Sequence, residues 1–137
     1  MDAELLQKAP KVVLHDHLDG GLRPETIVEL AEENNYQDLP TTDVKKLSEW
    51  FHRGADRRDL SLYLETFQHT VGVMQTTDAC YRVAAECAED LATDGVVYAE
   101  VRYAPSLMTN EGSSLDEVIE ATTAGFAEGS KNSKQTA

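Results

Sequence analysis

Apolar residues recur along most of this chain with the spacing of an α-helix, and in two short stretches with the alternation of a β-strand. The first of these is Lys11-Val-Val-Leu-His15-Asp-His17, a β-branched run that reads as a strand and ends at Leu18-Asp19-Gly20-Gly21, where the double glycine is expected to turn the backbone sharply. Ahead of it, Asp2 to Lys8 reads as a short amphipathic turn. Pro24 suits the first position of a helix, where its missing N–H costs nothing, and Ile27, Leu30 and Ala31 continue that helix towards Asn34-Asn35. Leu39-Pro40-Thr41-Thr42 reads as a loop, with Thr42 the expected N-cap of a helix carrying Val44, Leu47, Trp50 and Phe51. Residues 54–58 form a charged break.

Leu60, Leu64, Phe67, Val71 and Met74 then recur every three or four residues, marking a long amphipathic helix whose aromatic positions suit either a core or a cover over a ligand. Thr77 opens a further helix with Cys80, Val83, Ala84, Cys87, Ala88 and Leu91 as its buried stripe, closed by Asp94-Gly95. From Val96 to Tyr103 the pattern returns to alternation, with Val97, Ala99, Val101 and Tyr103 on one face and Tyr98, Glu100 and Arg102 on the other. The charged face suits a solvated edge strand or a barrel interior in which Glu100 and Arg102 neutralise each other. Ser114 with Glu117 forms a capping box for a helix bearing Val118, Ile119, Thr122 and Phe126. Beyond Gly129 the apolar spacing is lost, so residues 1–129 read as the folded portion and residues 130–137 as a disordered polar tail.

Strand, helical insertion, strand, helix is an α/β order, the opening of a (β/α)8 TIM barrel with a helical insertion between strands 1 and 2. A full barrel takes about 250 residues. At 137 residues the chain is too short to close one and reads as the N-terminal portion of a longer enzyme.

Charge narrows the partners. Twelve Lys and Arg face 25 Asp and Glu, a net charge of −13, which repels phosphate backbones and anionic lipid and leaves a small neutral solute as the better partner. Nucleic acid and membrane are not expected. The N-terminus lacks the basic and apolar regions of a secretory signal, and a cytoplasmic location follows as an expectation. Cys80 and Cys87 lie almost two turns apart on one helix, about 10 Å, too far for a disulfide, and read as reduced core residues.

The candidate chemistry lies at the end of the first strand. With a period of two, Val13, His15, His17 and Asp19 share one face, and two imidazoles two residues apart can converge on one divalent ion. A catalytic zinc site needs a third protein ligand, which must come from elsewhere.

The run from Pro10 to Gly21 resembles the first metal-binding strand of the adenosine deaminases, within the metal-dependent amidohydrolase superfamily. Gly95-Val-Val-Tyr-Ala-Glu100-Val-Arg102-Tyr103-Ala-Pro105 is similar to that family's second barrel strand, and Tyr63-Leu64-Glu-Thr-Phe67 to the helix that lids its purine pocket. The resemblance extends from about Leu6 to Phe126. It implies a zinc-dependent hydrolase that converts adenosine or deoxyadenosine to inosine or deoxyinosine and ammonia. His15 and His17 would be two zinc ligands, and His17, Asp19, Tyr63, Leu64 and Phe67 would contact the nucleoside. Asp at position 19 points to a nucleoside rather than free adenine as substrate, since the family's adenine deaminases commonly carry Glu there. The family's later zinc-binding His and Asp, its His-x-x-Glu proton donor and its hydroxide-orienting His have no match, so no catalytic acid or base is identified here and the chain alone is expected to be inactive. The alternatives are a deaminase of another purine, such as adenine, or a non-catalytic helical module that associates with another chain through open sheet edges.

Overall fold

The computed structural model describes residues 2–56 and 59–135. Its first helix, α1 (Ala3–Lys8), is capped by the Asp2 side chain, which accepts from the Glu4 N–H. Strand β1 (Lys11–His17) follows and pairs in parallel with β2 (Val96–Arg102); these two strands form one sheet. Between them run helices α2 (Pro24–Glu33), α3 (Val44–Ala55), α4 (Leu60–Val73) and α5 (Thr77–Thr93), and α6 (Leu115–Gln135) closes the described chain. This is the strand, helical insertion, strand, helix order of a barrel's opening. Arg57 and Arg58 of the expected charged break lie outside the described residues, and α3 itself runs to Ala55.

Local chemistry explains most element boundaries. Pro24 sits in the first turn of α2, where its fixed φ and missing donor cost nothing. The cap of α3 is Asp43 rather than Thr42: its carboxylate accepts from the Lys46 N–H at 3.0 Å, while Thr41 Oγ1 accepts from the Asp43 N–H at 3.2 Å. Either hydroxyl or carboxylate can cap, and the turn set by Thr41 delivers the carboxylate. At α6 the Ser114–Glu117 box forms reciprocally. Glu117 Oε2 accepts from the Ser114 N–H at 2.8 Å, and Ser114 Oγ from the Glu117 N–H at 3.3 Å. At Gly95, φ is +79° and an added Cβ would lie 2.5 Å from the Gln7 carbonyl. Only glycine satisfies both conditions where β2 begins beside the end of α1.

Leu18, Ile27, Leu30, Leu47, Val73, Met74, Cys80, Val83, Met108 and Val118 are buried together in one cluster fed by α2 to α6 and the turns after the strands. Cys80 and Cys87 are free thiols; burial pushes Cys80 up to about 11, and burial with the nearby Asp16 and Asp90 charges pushes Cys87 up to about 12. Neither is a reactive thiolate at neutral pH.

Three features depart from the sequence pattern. Helix α6 continues to Gln135, so residues 130–135 are helical where a disordered tail is expected. The reason lies in α5, against which Gly125 and Gly129 pack, while Asn132 Nδ2 donates to Glu89 at 3.0 Å. A partner helix substitutes for the missing apolar stripe. Leu60 and Leu64, expected in the stripe of α4, are 72% and 52% exposed; the buried positions at this level are Thr66 and Thr70, whose hydroxyls donate to the carbonyls of Tyr63 and Phe67. Finally, β1 does not alternate throughout. Its register against β2 breaks between Val13 and Asp16, both of which are half-buried, while Val12, Leu14, His15 and His17 are exposed.

A second polar cluster joins the helical insertion. Tyr36 Oη lies 3.0 Å from His69 Nδ1, and the Trp50 ring meets His69 at 5.2 Å between centroids. Burial holds the His69 imidazole below its ordinary value, partly offset by the Asp38 charge. A depressed folded-state value means that the unfolded chain binds the proton more readily, so this contribution is complete above the ordinary 6.5 and is lost as pH falls through the folded value. Acidification from about pH 7.5 to about 5.5 is therefore expected to lower the thermal unfolding midpoint, and His69→Gln to flatten that part of the profile. Equal slopes in the two proteins, read by circular dichroism, would show that His69 is not the titrating group.

Candidate active site

The register break in β1 builds the site. Were alternation unbroken, His15 and His17 would lie on the face of Val13, against the helices; the irregularity gives that face to Asp16, which raises Cys87 on α5, and frees both imidazoles. Their Nε2 atoms lie 3.1 Å apart and their ring centroids 5.1 Å apart. Two nitrogens each about 2.1 Å from one tetrahedral ion are separated by roughly 3.4 Å, so the pair fits two corners of such a site. Among the described residues, no group of three or more His, Cys, Asp or Glu side chains is arranged to hold a metal. Among the described residues, His15 and His17 are brought together as a pair of convergent nitrogens.

Asp19 is not in the strand. It lies in a 3-10 turn, Leu18–Gly20, whose Leu18 is anchored in the core. The turn carries the Asp19 carboxylate into a site where the residue is 5% exposed. Its Oδ1 stands 3.7 Å from His17 Nδ1, beyond hydrogen-bond reach, and has no hydrogen-bond partner among the described residues. A buried carboxylate oxygen without a donor is costly in a folded chain, and such orphans mark places where a ligand, water or ion completes the bonding.

Helix α4 brings aromatic side chains to the histidines. The Phe67 ring stands edge-on to His17 at 6.4 Å and to Tyr63 at 5.4 Å, and Tyr63 and Leu64 are exposed beside it. Phe67 thus reaches His17 directly, whereas Tyr63 and Leu64 are exposed along the same helix. Arg102, which the alternation of β2 places on one face with Glu100, is paired with His17 across the ladder and is exposed like it. Glu100 accepts from the Tyr98 hydroxyl at 3.0 Å, which raises that phenol above its ordinary value.

The arrangement therefore offers two convergent nitrogen donors, one buried acceptor without a donor, and an aromatic wall. That set suits a divalent ion next to a neutral ligand that has both a hydroxyl to donate and a flat apolar face.

Comparison with known proteins agrees in family and in extent. The family described as adenosine deaminase matches residues 10–136. Adenosine deaminase 1 of Streptomyces coelicolor is 64% identical over 129 residues, covering 94% of this chain and 33% of that protein. The chain spans about a third of the length of such relatives. Among solved structures, the Arabidopsis N6-mAMP deaminase matches with a TM-score of 0.72 at 27% identity, over 93% of this chain and 37% of its own. An amidohydrolase from Burkholderia ambifaria, solved with bound Zn, matches in fold with a TM-score of 0.76 at 21% identity, over 98% of this chain and 36% of its own.

Proposed function

Because the chain belongs to the adenosine deaminase family, we propose that it forms the first part of a zinc-dependent adenosine deaminase site, incomplete in itself. The observation that carries this reading is the pair of Nε2 atoms 3.1 Å apart beside the unpartnered Asp19 carboxylate. His15 and His17 would hold one divalent ion through their Nε2 atoms. Bound there, zinc supplies Lewis acidity and activates water as a nucleophile at neutral pH.

The chain's own residues bind and orient. Asp19 accepts a hydrogen bond from a ribose hydroxyl, which satisfies the buried oxygen and places the purine relative to the histidines. Phe67 packs on the base, with Tyr63 and Leu64 covering it; their exposure in the present structure supports a cover for a ligand over a core role, because core positions are closed off from solvent. No residue of this chain is assigned the proton transfers to the purine ring. That chemistry, and the further metal ligands, would come from a part corresponding to the two-thirds of the relatives' length that this chain does not span.

The test joins residues 1–129 of this chain to the remaining part of the Streptomyces relative and follows adenosine by ultraviolet absorbance, with a chelated control. Chelator-sensitive conversion to inosine is expected from the chimaera and not from the 137-residue chain. Conversion by the short chain alone would overturn the reading that the site is incomplete. In the chimaera, Asp19→Ala should lower kcat/KM for adenosine by roughly 10- to 100-fold, the range for a lost hydrogen bond to a charged group, while leaving any activity on free adenine much less affected. Equal losses on the two substrates would remove the ribose role.

A further inference from the structure

The glycine pair after β1 divides into two unlike positions. At Gly21 φ is −110° and ψ 19°, and an added Cβ would meet only the His17 carbonyl at 3.6 Å, an ordinary contact. Gly20 lies inside the 3-10 turn, and its φ is not in the left-handed region, so its backbone would accept alanine. Space is what forbids one. A Cβ at Gly20 would stand 2.9 Å from Cζ and 3.0 Å from Cε1 of Phe67, and 3.7 Å from Cβ of His17. The atoms that would have to move are the tip of the ring that stands against His17.

We infer that Gly20 is a positioning residue, the seat on which Phe67 rests, and that its missing side chain sets how closely α4 closes over His17. This rests on the reading of Phe67 as a wall of the purine site. The fold makes Gly20 a sensitive control point. The turn is fixed by buried Leu18, so it does not yield. Helix α4 is held behind the ring by Thr66, Thr70 and Val73, all buried, so the backbone of Phe67 is fixed as well. The ring, whose tip is the part in contact, is what can give way, by rotating off His17. A side chain at position 20 would thus raise the cover without breaking the core, and would widen the gap available to a ligand at the cost of contact with a flat base.

The experiment uses the 137-residue chain with Gly20→Ala, Phe67→Ala and the double variant, each first checked for an unchanged circular dichroism spectrum. The first measurement is the proton chemical shifts of the His17 ring, which sense the Phe67 ring current. Gly20→Ala should move them towards the values in Phe67→Ala and should have no further effect in the Phe67→Ala background. The second is adenosine affinity by calorimetry. Gly20→Ala should weaken it on the order of tenfold in the parent and leave it unchanged once Phe67 is alanine, because an aromatic contact is worth about that much. Unchanged His17 shifts in Gly20→Ala, or an equal effect on them with and without the Phe67 ring, would overturn the inference. A parent chain that binds no adenosine would count against the purine reading, while the shift measurement would still decide the role of Gly20.

Discussion

Replacing His17 by alanine is expected to weaken zinc binding to this chain by roughly a hundredfold or more, measured by competition against a chromophoric chelator. Loss of groups that merely orient a metal ligand costs about 10- to 100-fold, and loss of one of two ligands should exceed that. The geometry explains why both rings are needed. With His15 and His17 Nε2 atoms 3.1 Å apart, the second imidazole is already in place when the first binds, so its contribution carries little ordering cost. Removing either ring leaves one exposed imidazole, whose affinity is that of any surface histidine. His15→Ala should therefore match His17→Ala, and the double variant should add little. His52, on the exposed part of α3 and without a second imidazole two residues away, is the control: His52→Ala should leave zinc binding unchanged. If His15→Ala alone retained parental affinity, the convergent pair would not be the metal site. The two single variants should also separate by their effect on Phe67, since only His17 contacts that ring.

How much of this was readable from residues alone depended on the range of the interaction. Helices were legible because 3.6-residue spacing, Pro24 and the Ser114–Glu117 box act within one turn. The His-x-His pair was legible as a pair, yet its face was not. Period-two counting placed His15 with Val13, whereas the register break against β2 separates them. That break depends on where β2 docks, about 85 residues away in sequence, and no local pattern encodes it. Period-two spacing puts Asp19 in phase with the strand, but it arrives through a 3-10 turn whose position is set by Leu18 in the core. The sequence pattern makes the double glycine a sharp backbone turn, and the structure gives Gly20 a steric reason and Gly21 none. Leu60 and Leu64 obeyed the helical period and remain exposed, since periodicity reports an apolar face without reporting what covers it.

The helix that the sequence read as ending early carries the second large effect. Gly125→Ala and Gly129→Ala should each destabilise the chain by about 1–3 kcal/mol, and the double substitution by roughly 2–6 kcal/mol, which at its upper end reaches the lower bound of the roughly 5–15 kcal/mol that holds a domain together. Helix propensity alone demands the opposite sign, since alanine is favoured over glycine by about 1 kcal/mol in a helix interior. The two effects therefore compete, and the contact distances decide between them. A Cβ at Gly125 would lie 2.2 Å from the Tyr81 carbonyl and 2.9 Å from Ala84 Cβ; at Gly129 it would lie 2.2 Å from the Ala85 carbonyl and 2.9 Å from Ala88 Cβ. The obstructing atoms are backbone carbonyls and alanine Cβ atoms, one turn apart on each helix, so no rotamer change relieves them and α6 must move away from α5 as a body. Urea unfolding reads the result directly. A gain in stability at either position would mean that α5 and α6 are not in close contact. A loss would extend beyond the helix pair, because Tyr103 Oη lies 2.6 Å from Thr122 Oγ1 on α6, and Asp16 of β1 faces Cys87 on α5. Through those contacts the α5–α6 pair fixes the back of the sheet whose open face presents His15 and His17.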